Sequence, residues 1–317
     1  MKYSGIGGQA VIEGIMMMKG EDYAVAVRRP DKEIEVKKDT YQSITKKAKI
    51  LQLPFVRGVF RFADSMIIGM RSLSYSASFF EDDEDAEPGK FEQLLDRVFG
   101  EKLESAIMAA VLVISFILAI AIFMLLPLGI ANLFKGVITS DHLMAVLEGV
   151  IRIAIFIIYI KLVSRMEDIR RTFMYHGAEH KCINCVEHGH PLTVKYVRES
   201  SKEHKRCGTS FILIVMVISI LMFMVIRVDT IWMRILSRII LVPVIAGISY
   251  EVLQCAGRSN SKFMDLVSRP GMWMQGLTTK EPDDSMIEVA IAATEAVFDW
   301  REYLTENFPG WEKQLEE

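Results

Sequence analysis

The stretch Tyr175-His176-Gly177-Ala178-Glu179-His180-Lys181-Cys182-Ile183-Asn184-Cys185 concentrates reactive side chains. Five of the six histidines (His176, His180, His188, His190, His204) and three of the four cysteines fall within residues 176–207. On a helix, His176 and His180 are one turn apart and face the same way, so both imidazoles can grip one ion. Glu179 sits beside that face. The order His-x-x-Glu-His is that of the inverted zinc metalloproteases. There two histidines bind Zn²⁺ and the glutamate acts as general base on its water. The expectation is a site for zinc or another divalent transition metal, with Glu179 catalytic. A third ligand is needed. His204 and Cys207, in His204-Lys205-Arg206-Cys207, are candidates just where the chain enters an apolar run. Cys182-x-x-Cys185 suggests a rival structural zinc site or a redox pair, overlapping the histidines too closely for both to be full. Against both stands an ordinary polar loop, with Cys182 and Cys185 buried as small apolar side chains.

Other carboxylates lie further off. Glu251, in Gly247-Ile248-Ser249-Tyr250-Glu251, reads as a metal ligand or as an ion-pair partner of Arg258 or the basic loop. Glu148 and Arg152 are four apart within an apolar window and neutralise each other in the bilayer. Gly5, Gly7 and Gly8 permit a tight turn or a close backbone approach, and no phosphate-loop pattern completes them.

The elements that must position these residues are membrane helices. Four windows, 107–126, 143–163, 209–228 and 232–250, hold only six charged residues: Glu148, Arg152, Lys161, Arg227, Arg234 and Arg238. About 20 apolar residues cross the hydrocarbon. The last window either crosses with snorkelling arginines or dips in and returns. Lys and Arg cluster in the 164–208 loop, before the first window and after the last, which places both termini and that loop in the cytoplasm. The outer loops, 135–142 and 229–231, are then very short. No secretory signal peptide opens the chain. Cysteines on the reducing side fit ligands or packing better than disulfides. The 317 residues are 51% hydrophobic, and 37 Lys+Arg balance 40 Asp+Glu. This composition excludes a disordered chain and a global basic field for nucleic acid.

Residues 1–52 read as a β-rich segment of three short antiparallel strands, built from the runs Ala10–Met18, Tyr23–Arg28 and Ile34–Val36. Residues 53–80 form an amphipathic helix, with Arg57, Arg61, Asp64 and Arg71 on one stripe and Phe55, Val59, Phe62 and Met66 opposite. It lies in the membrane interface or packs its apolar face on protein. Residues 81–104 are an acidic linker and approach helix, and 105–250 the transmembrane region. Residues 251–317 are a C-terminal cytoplasmic helical segment, broken at Arg269-Pro270-Gly271. A capping box at Ser285 and Glu288 starts a helix with the stripe Ile287, Ala290, Ile291, Val297 and Phe298. The fold class is thus an α-helical multi-pass membrane protein of about four spans, with a small β-rich start and cytoplasmic amphipathic helices.

Several blocks together carry a resemblance: Gly7-Gly8-Gln9-Ala10-Val11-Ile12-Glu13-Gly14; Leu53-Pro54 with Arg57-Gly58; Tyr175 to Lys181; Arg206-Cys207-Gly208-Thr209-Ser210-Phe211; Ala246 to Glu251; and Leu277-Thr278-Thr279-Lys280-Glu281-Pro282. The chain resembles the YqhQ-like family of bacterial multi-pass membrane proteins. The resemblance implies Glu13, His176, Glu179, His180, Cys207 and Glu251 as the functional positions. Cys182 falls at a variable position, which speaks against a Cys182–Cys185 site. The family's function is unknown, and its occasional description as a metal-dependent enzyme rests on the same His/Glu motif. The expectation is a metal-dependent hydrolase acting on a membrane-associated peptide or lipid. The alternative is a scaffold or chaperone for membrane-protein clients, with any metal structural. The bilayer is a partner, nucleic acid is not, and a homo-oligomer is admitted. A transporter is disfavoured by so few spans and so few intramembrane charges.

Overall fold

The computed structural model describes residues 2–80, 103–226, 230–258 and 261–315. The acidic run 81–87 and nearly all of the expected approach helix lie outside them. Two units divide the chain, 1–80 with 160–317, and 81–159.

In the first unit, strands β1 (Ile6–Val11), β2 (Gly14–Lys19), β3 (Asp22–Arg28) and β4 (Ile34–Thr40) form an antiparallel meander in chain order. There are four strands where three were expected. The run Ala10–Met18 folds back on itself at Ile12-Glu13, and Glu13 takes φ 47°. A left-handed residue other than glycine costs about 1–2 kcal/mol. Here a two-pronged ion pair from Arg171 and a bond from Tyr175 Oη hold the Glu13 carboxylate. Gly14 closes the turn, but neither central residue, Ile12 or Glu13, is a turn former, so the sequence read as one run.

Helix α1 (Val56–Ala77) covers one face of the sheet, where Ile68 packs with Val11, Met16, Val25 and Val27. Helices α5 (Glu167–Glu187) and α10 (Asp284–Val297) cover the other, with Ile15, Met17 and Ala26 against Ala178, Ile183, Ile287 and Ala290. Burial on both faces is why Gly14–Lys19 and Asp22–Arg28 read as continuous apolar runs rather than alternating ones. Short α6 (Val194–Glu199) follows α5. Helix α10 begins two residues earlier than the capping box suggested. Asp283 is its cap, accepting the Met286 N–H, while Ser285 Oγ donates to Asp283 and Glu288 pairs with Arg28. Helix α11 (Trp300–Asn307) closes the core with Trp300 and Leu304.

Helices α7 (Gly208–Val225) and α8 (Ile231–Arg258) are apolar and long. α8 is one continuous helix through Pro243. Helix α9 (Lys262–Thr278) runs unbroken through Pro270, where a break was expected. The next residue, Gly271, sits so close to α7 that a Cβ would lie 2.7 Å from Ser210 Oγ. That packing offsets the hydrogen bond Pro270 cannot make.

In the second unit, α2 (Leu103–Ile120), a π turn (Ala121–Leu125) and α3 (Leu126–Asn132) form one apolar rod, followed by α4 (Asp141–Val163). Pro127 has no N–H to give the carbonyl four residues back, Phe123. Arg152 Nε of α4 donates to that oxygen at 3.1 Å, and its Nη2 holds Glu148 at 2.7 Å. The expected Glu148–Arg152 pair is therefore present, buried, and bonded to the opened backbone. Four helical stretches are long and apolar enough to cross a membrane: Val113–Asn132, Asp141–Val163, Gly208–Val225 and Ile239–Ala256.

Candidate metal centre

The His-x-x-Glu-His pentapeptide lies on α5. Gly177 weakens a helix intrinsically, but its position demands glycine. A Cβ there would lie 2.0 Å from the Lys280 carbonyl oxygen. The segment after α9 crosses α5 at that point, and Lys280 N–H donates to Phe173 O at 2.9 Å. The crossing delivers the Thr278 carbonyl to His176, whose Nδ1 bonds it at 3.0 Å. His180 Nδ1 bonds the Lys202 carbonyl at 2.6 Å. A carbonyl only accepts, so both rings carry Nδ1–H and keep Nε2 as a lone-pair donor. Carbonyl partners of this kind orient metal-binding histidines.

His176 Nε2 lies 3.2 Å from Cys207 Sγ, and the two imidazole centroids are 4.4 Å apart. Potential ligand atoms of His176, His180 and Cys207 all lie within 4.8 Å of one another. Cys207 caps the N-terminus of α7, and its sulfur accepts the Thr209 N–H. His180 and Cys207 are buried, and His176 is half-buried. Two imidazole nitrogens and one sulfur suit zinc or another borderline-soft divalent ion.

Glu179 points toward the sheet. Strand β1 passes so closely that a Cβ on Gly8 would lie 2.9 Å from Glu179 Cγ, which explains Gly8 as a close-approach glycine. Burial raises the Glu179 carboxyl above its usual range, against the pull of His176 and the Gly8 N–H.

The loop supplying the His180 acceptor is held by residues that sequence reasoning missed. Lys181 Nζ donates to the Arg198 and Ser200 carbonyls, and Asn184 Nδ2 to those of Ser201 and Glu203. Gln275 of α9 bonds both the N–H and the carbonyl of His204, and Ser210 Oγ. The only available signal was spacing: Lys181 and Asn184 lie one and four residues after His180 on the same helix.

The remaining candidates lie elsewhere. His204 stands beside the cluster, its ring centroid 5.8 Å from that of His180, and its Nε2 turns to Glu187 at 3.5 Å and Arg206 at 3.4 Å. Burial and the Arg206 charge lower its pKa, partly opposed by Glu187. Burial alone would raise the Glu187 carboxyl. The His204 bond, the Arg206 charge and two bonds from Ser4 overcome this and bring it to about 2. Glu251 bonds Arg57 Nε at 2.7 Å and the Phe55 N–H at 3.3 Å. Arg57 of α1 is therefore an ion-pair partner of Glu251, which is not part of the His/Cys cluster. Glu13 is the hairpin anchor described above. Cys182 and Cys185 lie in the apolar core, where burial raises both thiols, Cys185 to about 12. They pack as small side chains, and the rival Cys182–Cys185 site falls away.

Residues 53–300 match a family described as "Protein of unknown function (DUF1385)". The chain is 34% identical over 286 residues to the "Uncharacterized protein YqhQ" of Bacillus subtilis (strain 168), covering 90% of this chain and 89% of that protein. No solved structure matches. A family match over most of the chain, and a relative aligned nearly end to end, lead to one conclusion: the chain belongs to the DUF1385, or YqhQ-like, family of uncharacterised proteins.

Proposed function

We propose that this is a membrane metalloprotein in which His176, His180 and Cys207 hold a zinc-type divalent ion. The observation that carries the reading is the pairing of both Nδ1 atoms with backbone carbonyls, which turns both Nε2 atoms to the same side as a cysteine sulfur, that of His176 within hydrogen-bond distance of it. Such an ion supplies Lewis acidity and lowers the pKa of a bound water. Three protein ligands leave a position open. Glu179, next to His180 in the chain and kept from water, points at strand β1 in this structure, so acting as the base there requires its side chain to turn toward the ion. The reaction class is hydrolysis, and Cys207, at the first turn of an apolar helix, favours a substrate at the membrane surface: a peptide or a lipid headgroup. The distribution of Lys and Arg supports a site on the cytoplasmic side, with both termini there.

A second reading makes the metal structural and the protein a scaffold or chaperone for membrane-protein clients. The deep burial of His180 and Cys207 favours it. Elemental analysis of protein purified without a histidine tag tests both against a metal-free protein. One metal ion per chain, lost in His176→Ala/His180→Ala, supports a metal centre. Its absence from folded wild type after reconstitution removes it. Glu179→Gln then separates the two: a hydrolase loses turnover with metal retained, whereas a scaffold keeps its clients.

A further inference from the structure

A helix on a water-soluble surface turns its apolar stripe inward. Two helices of the first unit do the reverse. Helix α9 buries Ser268, Gly271, Met274, Gln275 and Thr278, and leaves Phe263, Leu266 and Trp273 exposed by 70, 59 and 63%. These three recur at i, i+3 and i+10, on one face. Helix α1 buries Gly58, Asp64, Ile68, Gly69, Ser72 and Ser76, and exposes Phe62, Met66, Met70 and Leu73. Asp64 is occupied on the inner side by Tyr41 Oη, Ser43 Oγ and the Ile44 N–H.

Both helices lean on the candidate spans. Gly271 of α9 sits against Ser210 of α7, and Gly58 of α1 against Tyr250 and Gly247 of α8. The Phe62 ring lies 5.5 Å from that of Phe211 on α7. These contacts fall in the first turn of one apolar stretch and inside the other, Gly208–Val225 and Ile239–Ala256. Helices α7 and α8 in turn expose apolar side chains, among them Ile212, Val217, Leu221, Ile240 and Val244. An apolar side turned outward is favourable where the medium is apolar. Trp and Phe on that side, with Lys262 and Arg269 at its border, match a helix lying in a membrane interface.

We propose that α9 and α1 are interfacial helices of one leaflet, inserted beside the α7–α8 pair with Phe263, Leu266 and Trp273 of α9, and Phe62, Met66 and Met70 of α1, among lipid acyl chains. Lipid is the occupant of both faces. Helix α9 also holds His204 through Gln275 and His176 through Thr278, so the His/Cys cluster hangs from a helix lying in the bilayer surface. The proposal rests on α7 and α8 crossing the membrane and is independent of whether a metal binds.

The test uses the full chain in phosphatidylcholine–phosphatidylglycerol vesicles, with and without brominated acyl chains. Leu266→Cys and Met70→Cys, each in a Cys255→Ser background because the other three thiols are buried, carry an environment-sensitive fluorophore. Glu302→Cys on α11 is the aqueous reference. Brominated lipid should quench the labels at 266 and 70 several-fold more than aqueous iodide does, with the order reversed at 302. Stronger quenching by iodide at 266 and 70 overturns the proposal. So does shielding from both quenchers, whether or not the thiols crosslink to a second copy, because protein would then cover the face. In unlabelled protein, Trp273→Phe should remove part of the intrinsic fluorescence that brominated lipid quenches. An unchanged quenched component overturns the assignment for α9.

Discussion

Two polar groupings adjoin apolar helices, and they are finished differently. In the second unit, Glu148 and Arg152 satisfy each other, and Arg152 takes the carbonyl that Pro127 leaves open. At the head of α7, His176, His180 and Cys207 have their outer atoms satisfied by backbone while their inner atoms face one another. The first arrangement closes a defect in a membrane helix and has its charge balanced internally. The second gathers lone pairs at one point, which is stable when something cationic shares them. Burial alone does not separate structure from chemistry; what the polar atoms are aimed at does.

Substitutions can break that contrast. The largest effect should come from His176→Ala/His180→Ala, with complete loss of bound metal by elemental analysis and little change in the fold of the second unit. Arg152→Ala leaves the Glu148 carboxylate buried without its ion-pair partner and removes the Phe123 donor. Removing one partner of a buried pair costs about 3–5 kcal/mol, and replacing both with apolar residues costs less. Thermal unfolding in micelles should therefore show Arg152→Ala less stable than Glu148→Leu/Arg152→Met. A milder test targets the loop behind His180. Asn184→Ala, which frees the Ser201 and Glu203 carbonyls, should weaken zinc binding by roughly 10–100-fold, as loss of a ligand-orienting partner does. Competition with a chelator reads this directly, and an unchanged affinity would show that the loop does not orient His180.

The smallest effect concerns α10, remote from both groupings. Asp283→Ala removes its cap and should cost about 1 kcal/mol. Burial alone would raise the Asp283 carboxyl, but bonds from Ser285 and the Met286 N–H, with Arg171 nearby, bring it below its usual range. A depressed carboxylate stabilises the fold above its unfolded pKa, and that contribution fades as pH falls through the folded one. The difference between wild type and Asp283→Ala should therefore shrink below about pH 4.

The apolar runs and the His176/His180 spacing could be read directly, because each depends on periodicity within one segment. What escaped depends on distant chain. Cys207 rather than His204 joins the cluster because Glu187 and Arg206 occupy His204, while Gln275 fixes its backbone. Glu251 meets Arg57, 194 positions away. The Glu13 turn has no turn former at its two central positions, and its geometry is held by Arg171 and Tyr175 from α5. Of the polar stripe Arg57, Arg61, Asp64 and Arg71 on α1, only Asp64 turns inward, and its partners Ser43 and Tyr41 could not be read from spacing.

The double covering of the β-sheet has a further consequence for biosynthesis. The strands are made before the helices that shield Ile15, Met17 and Ala26, and two long apolar segments lie between them in the chain. Ser4 waits for Glu187, 183 positions later. Throughout that interval one side of a finished meander is a sticky surface with no native cover. Apolar surface left uncovered in this way is prone to aggregation until its cover is made. Delays placed between the two halves of the gene should be felt first as aggregation of the amino-terminal sheet.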